Sequence, residues 1–239
     1  MLAPIYKGIY MYSLGFLKPN LPSNNISSFK IFGNHLDGLK LTNSETCVID
    51  FGDDTTQNVL PGTAVEILHN YSDETEYIIT ITGNHSTFTA SSNSIEAISL
   101  SDTVTSCYKM FYDNTVLDSV LDTFTLPKNI SSCAEMFSGC MLLKTLPNTF
   151  KIPDSLANYA NMFYYCEALK IDIANILPDE FTYDGAIDVH NMFAGCLNMK
   201  GTVPANKFWN SNKNFNSTSQ CFMDCISLTN FEEIPDSWK

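Results

Sequence analysis

The sequence predicts a mainly β chain with short helical turns, built as a β-sandwich over residues 28–90 followed by a solenoid over residues 91–239. Two observations predict it. The second half repeats the phrase M-F-x-x-C-x-x-L five times, with starts separated by 26, 26, 30 and 29 residues. A fixed period in that range marks stacked units that bury a continuous core, because one unit cannot cover its apolar face alone. The first half instead alternates apolar and polar residues with a period of two, between clusters of Gly, Asn and Asp, as strands and turns do.

Taken in order, residues 1–27 form an N-terminal arm or edge segment. Tyr6, Ile9, Tyr10, Tyr12 and Phe16 make it apolar, and Pro19 and Pro22 break it. Strands are expected at Phe29–Phe32, Cys47–Phe51, Ala64–Leu68 and Tyr77–Thr82. Ile95, Ala97, Ile98 and Leu100 are read as a first, capping coil that closes the end of the solenoid.

The repeats follow. Met110 and Phe111 open the first, with Asn114 in the cysteine slot and Leu117 at its close. Met136, Phe137, Cys140 and Leu143 form the second, and Met162, Phe163, Cys166 and Leu169 the third. Met192, Phe193, Cys196 and Met199 form the fourth; in the fifth, Cys221 replaces the methionine ahead of Phe222, Cys225 and Leu228. Cys-x-x-Met-Phe-x-x-Cys places its apolar residues on one face of a short helix or helical turn. The closing Leu-x-x-Leu-Pro reads as a short strand. Pro127, Pro147, Pro178, Pro204 and Pro235 sit at the corners, where a residue that cannot donate to a ladder is tolerated.

The phrase MFSGCMLLKTLP resembles the bacterial surface leucine-rich repeats called BspA-like. The stretch IDFGDDTTQ, followed by HNYSDETEYIITITG, resembles the polycystic-kidney-disease (PKD) type of immunoglobulin-like sandwich. Asp50, Phe51, Gly52, Asp53, Thr55, His69, Tyr71, Tyr77 and Ile79 carry that likeness. Ile49, Asp54 and the Thr75-Glu76 pair depart from it. Together the resemblances imply a PKD-like module ahead of a leucine-rich-repeat solenoid.

Composition narrows the function classes. The chain has 239 residues, 44% hydrophobic and 16% charged, with a net charge of −13. All 13 of its basic residues are lysine. Nucleic-acid binding needs basic phosphate contacts, so nucleic acid is not an expected partner. No apolar run approaches 18 residues, so membrane insertion is not expected either. The start lacks a basic region, a clean apolar core and a small-residue cleavage site, and is not read as a signal peptide. Seven of the eight cysteines fall in repeat register and Cys47 lies outside it, so buried thiols are expected rather than disulfides or zinc.

No catalytic motif appears among His35, His69, His85 and His190, and no cofactor is implied. One candidate metal site stands out. Asp50, Asp53 and Asp54 place three carboxylates within five residues, a set that holds calcium when backbone oxygens join it. The expected reading is a polar turn in which Asp53 accepts from backbone amides, with the calcium site as its alternative. The expected function is a non-enzymatic structural and recognition protein on a surface. A bacteriophage virion component, such as a fibre or decoration protein, is the first form of it. A bacterial cell-surface or secreted adhesin binding host protein or glycan is the second, and an accessory module of a polysaccharide-degrading system the third.

Overall fold

The computed structural model describes residues 25–90 and 96–239. The expected arm therefore lies outside the described residues, apart from its last three. The first region is one antiparallel sheet of six strands: β1 (Ile26–Asn43), β2 (Cys47–Asp50), β3 (Thr56–Val59), β4 (Gly62–Thr82), β5 (His85–Ala90) and β6 (Glu96–Ser99). Their order is β3-β2-β4-β1-β5, with β6 also paired to β1. Phe29, Ile31, Leu39, Leu41, Ile49, Ile67, Ile79 and Ile81 share the buried face. Phe32, Leu68 and Ile78 point outward.

This corrects the expected immunoglobulin-like sandwich. A sandwich needs two sheets packed face to face. Here the runs Ala64–Leu68 and Tyr77–Thr82 are halves of a single 21-residue strand. It pairs along the 18-residue β1, so the chain never crosses to a second sheet. Register shifts between Gly33 and His35, and between Leu36 and Leu39, bend the long pair, as bulges do. The expected capping coil is corrected too. Ala97 and Ile98 belong to β6, and Ala97 pairs with Phe29 at the sheet edge, while Ile95 lies outside the described residues.

From Ser101 onward the chain stacks its repeats side by side. Phe111 N–H donates to the Met136 carbonyl, Phe137 to Met162, Phe163 to Met192 and Phe193 to Cys221, each at 2.8–2.9 Å. Phe222 donates to Trp238, which occupies the place a further repeat would fill. Behind this ladder the phenylalanines form a column. Phe111, Phe137, Phe163, Phe193 and Phe222 stack nearly parallel, with centroids 5.2–5.7 Å apart. Phe124 and Phe150 begin a second column and meet the first edge to face. Phe181 and Phe208 continue to Trp238, which closes the core.

The units are not the expected helix-and-strand coils of a leucine-rich-repeat solenoid. Cys107 to Asn114 is a run of turns: Met110 N–H donates to Cys107, Tyr112 to Lys109 and Asn114 to Phe111. Two slots per repeat have positive φ. Lys109, Glu135, Asn161, Asn191 and Gln220 lie between 52° and 58°. Asp113, Gly139, Tyr165, Gly195 and Asp224 lie between 54° and 77°. Left-handed residues at both slots interrupt any helix or strand. What remains between units is isolated parallel bridges, such as Ser119 with Thr145 and Asp172 with Lys200. One short parallel pair joins β7 (Ile187–Asp188) to β8 (Phe215–Ser217). The sole α-helix among the described residues, α1 (Ile173–Ile176), is a single turn capped by Asp172.

Candidate functional site

The carboxylates singled out in the β2–β3 turn do not converge on an ion. Asp50 Oδ1 accepts from the Gly52 amide at 2.9 Å. Asp53 Oδ1 accepts from the Thr55 amide and hydroxyl at 3.1 and 2.6 Å, and its Oδ2 meets His69 Nε2 at 2.8 Å. Asp54, at φ 67°, is exposed at the tip. Among the described residues no group of three or more His, Cys, Asp or Glu is arranged to hold a metal ion. Burial raises the Asp53 pKa, but the hydrogen bonds from Thr55 and His69 outweigh it and hold the carboxyl below its ordinary value. His69 stacks on Phe51 with centroids 3.9 Å apart, and the Tyr71 hydroxyl donates to the Phe51 carbonyl. The arrangement pins β4 to the turn.

The other histidines are held by neighbours. His85 is buried, which lowers its pKa. Its Nδ1 lies 2.9 Å from the Gly83 carbonyl and so carries the proton. Its Nε2 therefore accepts from the Ser27 hydroxyl at 2.7 Å. Ser27 Oγ in turn accepts from the Ser101 amide, which joins the sheet to the first repeat. With Ser27 fully buried, this Ser–His contact presents no nucleophile to a substrate. His35 meets Asn70, and His190 meets Asp188.

All eight cysteines are free and buried. Four of them make one column: Cys140 donates its S–H to the Phe111 carbonyl, Cys166 to Phe137, Cys196 to Phe163 and Cys225 to Phe193, at 3.0–3.1 Å. Burial pushes the Cys140 and Cys225 thiols up to about 12, far from the thiolate that nucleophilic chemistry requires. In the first repeat Asn114 substitutes for cysteine, and its side-chain oxygen accepts from the Val116 and Leu117 amides. The predicted core residues Met110, Phe111, Met136, Phe137, Cys140, Leu143, Met162, Phe163, Cys166, Leu169, Met192, Phe193, Cys196, Phe222, Cys225 and Leu228 are all buried. They form the interior of the stack.

That surface carries a feature the motif search passed over. The two variable positions of Cys-x-x-Leu are exposed except in the third repeat, and in four of the five repeats at least one of them holds a large apolar residue, the others being Thr115, Asn198 and Ser227. Val116, Met141, Leu142, Leu197 and Ile226 are between 36% and 66% exposed. The third repeat has Glu167 and Ala168 there instead. The signal was present in the phrase, in the letters written as x. Two clefts lie elsewhere. One of about 260 Å³ is lined by Asp179, Glu180, Lys207 and Lys213. A more open one of about 370 Å³ runs past Pro127, Pro153 and Pro178.

Comparison with known proteins adds one finding. A family model described as "Mycoplasma protein of unknown function, DUF285" matches residues 81–176 and again residues 105–238, more than half of the chain. No curated protein and no solved structure matches. The double match follows the repeats, whereas the sheet that precedes them is neither a PKD-type module nor a sandwich. The paired resemblance drawn from the sequence therefore gives way to membership of one family.

Proposed function

We propose that this chain, which belongs to the DUF285 family, is a non-enzymatic recognition protein exposed on a cell surface. The observation that carries the reading is the exposure of apolar side chains at the variable positions of four of the five stacked repeats. Apolar residues that recur outside a core mark a surface built to be covered. The family match spans the repeats that expose these side chains, and their phrase MFSGCMLLKTLP resembles that of bacterial surface repeats. Partners are taken to be proteins, with glycans as an alternative. No observation on the fold favours a virion component over a cell-surface protein.

The reading is tested by fractionating the source culture into cells, medium and sedimentable particles, with peptide mass spectrometry on each. Recovery on intact cells, removable by external protease, is the expected result. Recovery only inside cells overturns it, and enrichment in particles replaces it with the virion reading.

A further inference from the structure

The sheet and the repeats meet at a joint built around a buried histidine. Ser27 on β1, His85 at the start of β5 and Ser101 after β6 are each no more than 1% exposed. The Ser27 hydroxyl donates to His85 Nε2 at 2.7 Å, and Ser27 Oγ accepts from the Ser101 amide at 2.9 Å. The Thr103 hydroxyl donates to the His85 carbonyl at 3.1 Å. Next to it the amides of Thr105 and Ser106 donate to the Ser86 carbonyl at 3.0 and 3.2 Å. The Ser131 amide and hydroxyl both donate to the Thr105 carbonyl, so the second repeat hangs on the same segment. Residues 101–106 are thus held to β1 and β5 by contacts that pass through His85 or lie beside it.

This arrangement needs a neutral ring. Nδ1–H is committed to the Gly83 carbonyl at 2.9 Å. A second proton, on Nε2, would meet the hydrogen of the Ser27 hydroxyl. The hydroxyl would have to turn, leaving its own hydrogen without an acceptor, and a charge would sit in a site closed to water. Among the described residues no carboxylate meets the ring to offset that charge. Opposite His85 on β1 stands Asn43, a neutral amide. Elsewhere on β1, Lys30 is paired with Glu76 and Lys40 is exposed. Cys47 on β2 is buried, which raises its pKa and keeps it a thiol. Glu45 ahead of β2 accepts from Asn84, and both Glu45 and Asp102 are exposed. His69 and His190 differ, because each faces a carboxylate that a protonated ring can pair with.

We propose that His85 is an acid-sensitive latch between the sheet and the repeats: its protonation releases residues 101–106 from β1 and β5. Burial holds the His85 pKa below its ordinary value. The contribution of the latch is therefore complete above about pH 6.5, where an imidazole of the unfolded chain titrates, and is lost as pH falls below that through the folded value. The phenylalanine column behind the joint carries no titrating group, so the repeats stay stacked while the joint opens.

The test is hydrogen–deuterium exchange of the full chain, read by mass spectrometry at about pH 7 and about pH 5 and corrected for the intrinsic effect of pH. The expected result is a several-fold loss of protection at the lower pH in residues 83–88 and 100–107, with little change in residues 134–143. His85→Gln, whose amide does not titrate, is expected to show the same protection at both pH values. NMR titration of the His85 ring in wild type decides the matter if that variant does not fold. Opening of the joint and protonation of the ring are expected to share one midpoint, below that of a free imidazole. Equal wild-type protection at both pH values overturns the latch, as does loosening that persists in His85→Gln or that precedes ring protonation. Loss of protection in all segments together assigns the acid effect to the whole fold and overturns it too.

Discussion

At the scale of single residues the repeats depend on backbone conformations that side chains rarely adopt. Gly139 has φ +77°, and a Cβ added there would lie 2.2 Å from Asp113 Oδ1 of the preceding unit. Gly139→Ala is expected to cost about 2 kcal/mol, seen as a lower midpoint in denaturant. An unchanged midpoint would mean that the unit does not hold this turn. Asp53 gives a second residue-scale prediction. Its carboxyl is held below its ordinary value in the folded chain, so its contribution is present above the unfolded pKa of about 4 and is lost as pH falls through the folded value. Wild type should therefore melt higher than Asp53→Asn at pH 6, and the gap should close toward pH 3. A gap that is constant with pH would assign the effect to something other than the charge.

At the scale of elements, the repeat phrase fixed which residues lie inside. Met136 is fully buried in the core of the stack, and Met136→Asp places a carboxylate there without a partner. The expected loss is about 3 kcal/mol or more, enough to abolish cooperative melting in a chain of ordinary stability. A variant that melts like wild type would show that the units do not stack in this register. The phrase was legible because the same residue types recur in the same slots. The second column, with Phe124, Phe150, Phe181 and Phe208, was not, since its spacing drifts and no fixed phrase surrounds it. Helix and turn could not be separated from sequence either. Linked turns bring residues three apart into contact, as Met110 and Cys107 are, and so does a helix. The left-handed slot before each methionine holds Lys, Glu and Asn, where glycine would have signalled the turn. In the sheet, the polar stretch 70–76 separates the runs Ala64–Leu68 and Tyr77–Thr82 that were expected as two strands. It is the bulged middle of one strand, where the pairing jumps from Asn70 opposite His35 to Thr75 opposite Gly33. Of the candidate site, the turn at Asp53 was visible from its Asp, Thr and His. The exposed apolar positions escaped notice because variable letters in a motif read as noise.

At the scale of the whole molecule, a bent sheet and a stack of turns are joined by backbone and buried polar contacts. Thr105 N–H donates to Ser86 at 3.0 Å, beside the Ser27–His85–Ser101 junction. The described core is made of aromatic columns and buried thiols, and large apolar side chains are exposed at the variable positions of four of the five repeats. Among the described residues no helix is long and apolar enough to cross a membrane. The central claim is that the repeat face meets partners outside the cell. The most direct measurement is labelling of intact source cells with a membrane-impermeant amine reagent, followed by mapping of the modified lysines. The account predicts label on Lys170 and Lys200 while cytoplasmic proteins stay unlabelled. Label that reaches these lysines only after the cells are broken open would contradict it.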